Sequence, residues 1–301
     1  NRNSQTKNLK RIIMKTIIVP TDFSETANYA LEVAVQLSKK YDSKLIVLHL
    51  LEIPDHVIDD KYSTNDVANL TTPNNPPAAL FYMKLAQKNF EKTRNLDFMQ
   101  GVAFEEAVQN HLNFKEIGIT AQKHNADLIV MGSHGATGIK EFFVGSNTEK
   151  VVRHSEIPVM VIKKRMEKFN PTSFAFASDL NTEGASALKQ AKEVAQQFNT
   201  NFSIIHINDY NDSAVASEKM KEQYHELLEA AGINSADAPL LVHNDDDVEN
   251  GLHNAITKNN IELLGIATHG RKGLAHLFNE NISEELINHL SLPIITFKMN
   301  D

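Results

Sequence analysis

The chain contains no cysteine among its 301 residues. This absence excludes disulfide bonds, thiolate catalysis and any zinc or iron–sulfur centre held by cysteines. No apolar run approaches the roughly 20 residues that a membrane-spanning helix needs, and no secretory-signal pattern precedes Met14. We therefore expect a cytoplasmic protein with no membrane partner.

Basic residues are fewer than acidic ones, 30 against 38, which gives a formal net charge of −8. Nucleic-acid binding relies on lysine and arginine to displace counterions from phosphates. DNA and RNA are therefore not expected as ligands. Hydrophobic residues make up 42% of the chain, which is ordinary for a folded protein, and the length suits about two domains.

Glycine is scarce and unevenly placed. Seven of the twelve glycines fall in two short segments, 132–145 and 265–273. Such clustering indicates tight backbone geometry or the close approach of another group. The first segment includes MGSHGATG from Met131 and the second includes IATHGRKG from Ile266, so the two are related copies 135 residues apart.

The first half begins with a strand–helix–strand pattern. Met14–Pro20 is a short apolar run closed by proline, which is typical of a strand buried on both faces of a parallel sheet. Ser24 is placed to cap the helical pattern that follows. Lys44–Leu51 is a second buried strand, and a right-handed parallel crossover is strongly favoured for such a unit.

The second half repeats this unit. Asp179 corresponds to Asp22, and the strand pattern Phe202–Ile207 corresponds to Leu45–Leu50, both at an offset of 157 residues. The offset falls to 135 at the glycine segments, mainly because the first half carries extra residues after its second strand. These residues, 53–77, have a loop composition, and we favour a surface insertion over a lid.

Each half finishes with a strand, a glycine segment, a helical pattern and a last strand. Five strands alternating with helices predict an open, doubly wound parallel sheet in each half, with ligands beyond the carboxyl ends of the strands. We therefore expect two tandem α/β domains, at 14–165 and 172–301, with residues 163–168 as the linker. Residues 1–13 are expected to be a disordered leader.

A glycine signature of fixed spacing follows the buried strand pattern of the first half. It has the form Gly-x2-Gly-x9-Gly-Ser and comprises Gly132, Gly135, Gly145 and Ser146. With the turn Pro20–Ser24, it makes the chain resemble the universal stress protein family in its tandem form. The resemblance covers nearly the whole chain after residue 14, and it implies two Rossmann-like domains of the adenine-nucleotide α-hydrolase type.

The first glycine segment has the composition of a phosphate-binding loop. Backbone N–H groups of Gly132, Gly135 and Gly138 would approach phosphate oxygens without an intervening side chain, and the next helix N-terminus adds a favourable dipole. The residues that would hold the outer phosphates are Gly145, Ser146, Asn147 and Thr148. The same features also suit a plain turn and a capped helix; for the set as a whole we favour nucleotide binding.

The resemblance also implies a pocket for adenine and ribose. Asp22 and its two preceding residues would face the base and sugar, and Leu50 would form part of the base pocket. The implied residues in this pocket and at the start of the loop are Pro20, Thr21, Asp22, Leu50, Met131 and His134. The implied ligand is ATP, or AMP or ADP, with Mg²⁺ or Mn²⁺ on the phosphates as an option.

The second half departs from the signature. Ala267 replaces the first glycine, Glu280 the third, and Asn281 the serine after it. A carboxylate at 280 would repel phosphate, although Arg271 and Lys272 would offset part of this repulsion. We therefore expect one competent nucleotide site per chain, in the first half.

Other candidate sites are weaker. The acidic run Asn244–Asp247 suits either a cation or the N-terminus of the next helix, and we favour the helix cap. Histidines repeat at the strand ends, at 49 and 206, and in the loops, at 134 and 269. Their presence in both halves favours structural hydrogen bonding over acid–base chemistry. No P-loop, zinc-protease or hydrolase-elbow motif is present.

The sequence therefore favours a non-catalytic, adenine-nucleotide-binding stress protein whose two halves pair within one chain, with a homodimer as a further option. A slow ATP hydrolase or adenylyl-transferring enzyme on the same fold is the first alternative. The absence of an evident base or phosphate-binding lysine counts against it. A ligand-free interaction scaffold is the second.

Overall fold

A computed structural model of the chain describes residues 14–51, 78–110, 115–133, 146–208, 214–268 and 290–299. The expected leader, the 53–77 insertion and most of both glycine segments lie outside the described residues. The chain divides into two compact units. The first is built mainly on Thr16–Phe169, and the second mainly on Asn170–Leu286 with Leu292–Asp301.

The N-terminal unit is a parallel sheet with the strand order β3-β2-β1-β4-β5. Its strands are β1 Thr16–Thr21, β2 Lys44–Leu51, β3 Glu105–Asn110, β4 Leu128–Gly132 and β5 Val159–Ile162. Its described helices are α1 Glu25–Tyr41, α2 Ala78–Arg94, α3 Lys115–Lys123 and α4 Ser146–His154. The strand order reverses between β1 and β4, as it does at the ligand sites of doubly wound sheets.

The C-terminal unit has the same parallel order, β8-β7-β6-β9-β10. Its strands are β6 Ser173–Ala177, β7 Asn201–Asn208, β8 Leu240–Asn244, β9 Leu263–Thr268 and β10 Ile294–Lys298. Its described helices are α5 Ala185–Phe198, α6 Ala214–Ala231 and α7 Val248–Lys258. The predicted fold class, two tandem Rossmann-like α/β units, is confirmed.

Burial explains why these segments fold as they do. All residues of β1 and β4 are buried, as expected for central strands covered on both faces. In α1, the positions at helical spacing form the buried stripe: Ala27, Ala30, Leu31, Ala34 and Leu37. The helix begins with the Ser24 hydroxyl accepting the Ala27 N–H, and it ends at Asp42 in the left-handed conformation, with φ of 54°.

The segment expected to link the halves packs against α1. The Gln36 side chain donates to the carbonyl oxygen of Met166 at 2.9 Å and accepts the N–H of Phe169 at 2.7 Å. The buried carboxylate of Glu32 accepts two hydrogen bonds from Arg165, at 3.0 and 3.2 Å. The chain leaving β5 is therefore held to the N-terminal unit as far as residue 169.

Among the described helices, none combines the length and apolar character required to cross a bilayer.

Candidate functional site

The turn after β1 is built by short side-chain hydrogen bonds. The Thr21 hydroxyl accepts the N–H of Phe23 at 2.9 Å, and the Asp22 carboxylate accepts the N–H of Ser24 at 3.0 Å. Asp22 is exposed, whereas Pro20 and Thr21 are buried. The turn therefore holds one oriented carboxylate at the carboxyl end of the central strand, where a doubly wound sheet presents its ligand site.

Aromatic rings from β2 and α2 pack against Phe23 in this turn. Phe23 has a positive φ of 62°, a costly conformation for a bulky residue. Its ring lies 4.6 Å from the His49 ring and 5.2 Å, edge-on, from that of Phe90. The Nδ1 atom of His49 is 2.8 Å from the carbonyl oxygen of Thr21. These contacts hold the turn in its left-handed conformation.

The C-terminal unit repeats the turn bond for bond. Ser178 accepts the N–H of Leu180 at 3.0 Å, and Asp179 accepts the N–H of Asn181 at 2.9 Å. Leu180 also has a positive φ, of 66°, and His206 Nδ1 lies 2.9 Å from the Ser178 carbonyl oxygen. A turn requirement alone therefore explains why Asp179 is retained. The two strand-end histidines make the structural hydrogen bonds that the sequence favoured.

The end of β4 meets two helices at Gly132. A Cβ atom added there would lie 2.7 Å from the carbonyl carbon and oxygen of Thr26 in α1. The Thr148 hydroxyl, in the first turn of α4, donates to the Gly132 carbonyl oxygen at 2.9 Å, and its residue is buried. The packing of α1 thus requires glycine at this position without any ligand. It also brings the N-terminal turns of α1 and α4 to one point.

The remaining predicted residues divide into two groups. Leu50 and Met131 belong to one buried apolar cluster, which also includes Val151 and Val152 of α4. Asn147 is partly buried in the first turn of α4, and Ser146 begins that helix. The predicted residues outside the described part of the chain are His134, Gly135, Gly138 and Gly145. The structure thus brings together the strand ends and both helix starts, and it leaves the loop itself untested.

The C-terminal unit differs at the corresponding helix start. Ala267 occupies the position of Gly132, and its methyl group needs the space that the α1 backbone occupies in the first unit. Here a 3-10 turn, Thr182–Gly184, comes first, and α5 begins at Ala185, three residues later than the 157-residue offset from α1 would place it. A cleft opens beside Ala267 and Asp179. The departure from the glycine signature is therefore accompanied by a change of backbone.

The acidic run 244–247 serves as a helix cap. Asp247 accepts the N–H of Asn250 at 2.8 Å and is the N-cap of α7, and Asp245 accepts the N–H of Asp247 at 3.2 Å. Within the described residues, no group of three or more histidine and carboxylate side chains is arranged to hold a metal ion. The N-cap hydrogen bond of Asp247 confirms the preferred capping interpretation.

One charged residue at the carboxyl end of β5, in the N-terminal unit, was predicted only to be part of the linker. Lys163 follows β5, and its Nζ is buried without a hydrogen-bond partner in the described chain. Burial lowers the pKa of this ammonium group to about 8. The sequence contained a signal for it, since the lysine that directly follows the last apolar run of the first half is repeated as Lys298, at the 135-residue offset.

Two doubly wound parallel units with the same aspartate turn define a tandem Rossmann-like α/β protein. Comparison with known proteins identifies its family. The model of the universal stress protein family matches residues 14–163 and again 174–298. The chain therefore belongs to the universal stress protein family, in its two-domain form.

Relatives match both one domain and the full length. Universal stress protein MJ0577 of Methanocaldococcus jannaschii is 32% identical over 162 residues, covering 51% of this chain and 98% of the relative. Universal stress protein Slr1230 of Synechocystis is 20% identical over 294 residues, covering 95% and 100%. A universal stress protein from Archaeoglobus fulgidus superposes with a TM-score of 0.63 at 19% identity, covering 96% and 97%, which establishes likeness of fold.

Proposed function

We propose that the N-terminal domain binds an adenine nucleotide, ATP foremost, and that the protein acts in a stress response by binding or signalling rather than by catalysis. The observation that carries this proposal is the meeting of β4, α1 and α4 at Gly132. The family membership and the intact glycine signature in this half support it.

Phosphate recognition follows from the two helix starts. The first N–H groups of a helix have no partner within it, and its N-terminus carries a partial positive charge. The first turns of α1 and α4 both lie against Gly132, through Thr26 and Thr148. A phosphate chain laid over the end of β4 would meet both helix N-termini, and the loop glycines would let backbone N–H groups approach it.

Base and sugar recognition would use the neighbouring strand ends. The turn after β1 orients the Asp22 carboxylate, and a carboxylate can accept several hydrogen bonds, including those of ribose hydroxyls. Leu50 of β2 and Met131 of β4, which belong to one apolar cluster, would contribute apolar surface for adenine. A divalent cation would be carried by the phosphates, because the described residues contain no metal-binding cluster.

The C-terminal domain is proposed as a structural partner. It keeps the aspartate turn but has Ala267, Glu280 and Asn281 in place of three signature residues. Its altered helix start removes the close packing found at Gly132. This difference predicts one nucleotide per chain, with the slow hydrolase and the ligand-free scaffold as the competing hypotheses.

The repeat provides a matched pair of variants for the test. Asp22→Asn and Asp179→Asn keep an acceptor oxygen for equivalent turn bonds of 3.0 and 2.9 Å, and each removes one charge. Isothermal titration with ATP, ADP, AMP and adenosine should give one site per chain. Loss of a charged hydrogen bond should weaken ATP binding about tenfold in Asp22→Asn and leave Asp179→Asn unchanged.

Other outcomes favour the competing hypotheses. If no nucleotide gives a heat of binding, and equilibrium dialysis also detects no binding, the proposal is wrong and the ligand-free scaffold is favoured. A larger loss of ATP affinity in Asp179→Asn than in Asp22→Asn would assign the nucleotide site to the second domain. Phosphate release that scales with protein concentration, and is absent from a Gly135→Val variant, would identify a hydrolase.

A further inference from the structure

The ammonium group of Lys163 is buried, and no residue in the described part of the chain neutralises it. Its Nζ exposes less than 1 Å² and has no hydrogen-bond partner in the described chain. None of the ion pairs found among the described residues includes it. A buried ammonium without a partner is costly, so its presence calls for a physical explanation.

The sheet register places this lysine on the α4 face. Met131 and Gly132 pair with Val161 and Ile162, and Val161 packs in the cluster that contains Val151 and Val152 of α4. Side chains alternate between the two faces of an extended strand. Continued by one residue, this alternation puts Lys163 on the side of Val161. The corresponding Lys298 is still within β10, which supports the extended geometry.

The direction of α4 brings its N-terminus to the same end. Only residues 155–158 separate α4 from β5, so the helix runs back along the sheet and starts near the carboxyl end of β5. The bond of 2.9 Å from the Thr148 hydroxyl to the Gly132 carbonyl oxygen fixes that start over the end of β4. Lys163 directly follows Ile162, the register partner of Gly132.

Two positively charged groups therefore lie near the carboxyl ends of β4 and β5, on the α4 side of the sheet. The N-terminus of α4 carries a partial positive charge, and the strand register puts Lys163 on the same side of the sheet. Burial lowers the pKa of that group to about 8, which agrees with the lack of a nearby counter-charge. An anion between them would accept from the ammonium and from the helix N–H groups, and would remove the cost of both.

We propose that Lys163 binds a phosphate group of the nucleotide, between its ammonium group and the first turn of α4. The inference rests on the proposed nucleotide site and adds a charged residue that the glycine signature does not contain. It predicts that Lys163 contributes to the binding of the phosphates and not to the binding of the base. Changes at Lys163 should therefore leave the affinity for adenosine unaltered.

The test uses the full chain and three variants. Lys163→Met removes the charge with little change of length, Lys163→Arg keeps it, and Lys164→Met changes the exposed neighbour, whose Nζ lies 3.5 Å from Ser291 Oγ. Titrations with ATP, adenosine and inorganic phosphate are compared. Lys163→Met should weaken ATP binding at least about tenfold. Adenosine binding and the Lys164→Met variant should match the wild type, and Lys163→Arg should recover part of the ATP affinity.

Each failure has a separate meaning. Equal ATP affinity in the wild type and Lys163→Met would reject the role of Lys163 and leave the nucleotide site standing. A parallel loss of adenosine binding would overturn the inference, since Lys163 would then act on the whole pocket. Phosphate binding that depends on Lys163, without ATP binding, would support the anion site and reject the proposed function. Absence of binding by every ligand would reject both. The unfolding temperature without ligand checks folding, and it should not fall in Lys163→Met.

Discussion

The Nδ1 atom of His49 lies 2.8 Å from the carbonyl oxygen of Thr21, its register partner on the neighbouring strand. A carbonyl oxygen can only accept, so Nδ1 must carry the proton. His206 makes the equivalent contact, at 2.9 Å, with Ser178. The same hydrogen bond therefore joins the first two strands in both domains.

We predict that both rings carry a proton on Nδ1, because the carbonyl oxygen that each contacts can only accept. Nitrogen NMR shifts of ¹⁵N-labelled histidines should report a protonated Nδ1 and an unprotonated Nε2 for His49 and His206. His253, which is exposed on α7, serves as the comparison because its ring is in water. An Nε2–H signal from either strand-end histidine would contradict the assigned hydrogen bond.

Gly132→Ala should destabilise the N-terminal domain. The new methyl group would lie 2.7 Å from backbone atoms of Thr26, which cannot move without shifting α1. Overpacking of this kind costs about 1–3 kcal/mol. Gly118→Ala is the control, because its Cβ would be no closer than 3.7 Å to any neighbour and alanine favours the helix. Urea unfolding should show an earlier first transition for Gly132→Ala only; matching midpoints would refute this.

Gly265→Ala should destabilise the C-terminal domain and leave nucleotide binding unchanged. Its Cβ would lie 2.8 Å from the Phe174 ring and 3.1 Å from that of Phe176. Phe174 also contacts Phe202 and Phe297, so the ring has little room to move. Thermal unfolding combined with ATP titration measures both effects. Weakened ATP binding in this variant would mean that the second domain shapes the site.

Gln36→Ala should release the segment that leaves β5. The variant loses the two hydrogen bonds that join Gln36 to Met166 and Phe169. Trypsin should then cut after Arg165 or Lys168 faster than in the wild type. Gln122→Ala, an exposed change on α3, provides the control. Unchanged cleavage would show that the other contacts of this segment suffice.

The stability of the ligand-free protein should depend on pH through Lys163. Burial lowers its pKa from 10.5 to about 8. Between these pH values the unfolded chain binds more protons at this position than the folded chain, so the free energy of unfolding rises with pH. Lys163→Met should lack this increment, and its stability advantage over the wild type should be largest below pH 8. Parallel stability curves for both proteins from pH 7.5 to 10.5 would contradict the buried charge.

The buried strands could be predicted because burial on both faces leaves a continuous apolar run. This holds for β1, β2, β4 and β5, and for their repeats. The outer strands were counted but could not be located from the sequence. β3 reads EEAVQN and pairs with β2, and β8 has partly exposed residues throughout. Both strands contain residues that are exposed or only partly buried, so their sequences lack a continuous apolar run.

The candidate site was predictable only where its chemistry is local. The Asp22 turn follows from residues two apart, and the Ser24 cap from residues three apart. The left-handed Phe23 could not be predicted, because its conformation depends on rings from β2 and α2. The glycine spacing also did not reveal that the backbone of α1 leaves no room for a Cβ atom at Gly132.

The sequence by itself determined the tandem repeat, the α/β class, the aspartate turn and the departure of the second glycine segment. These are properties of neighbouring residues and of hydrophobic periodicity, which a linear chain records directly. The tertiary structure decided that α1 packs against Gly132 and that Gln36 holds a segment 130 residues away. It also decided that the Nζ atom of Lys163 is buried with no hydrogen-bond partner among the described residues. Such contacts arise from how elements distant in sequence pack, and no local pattern encodes them.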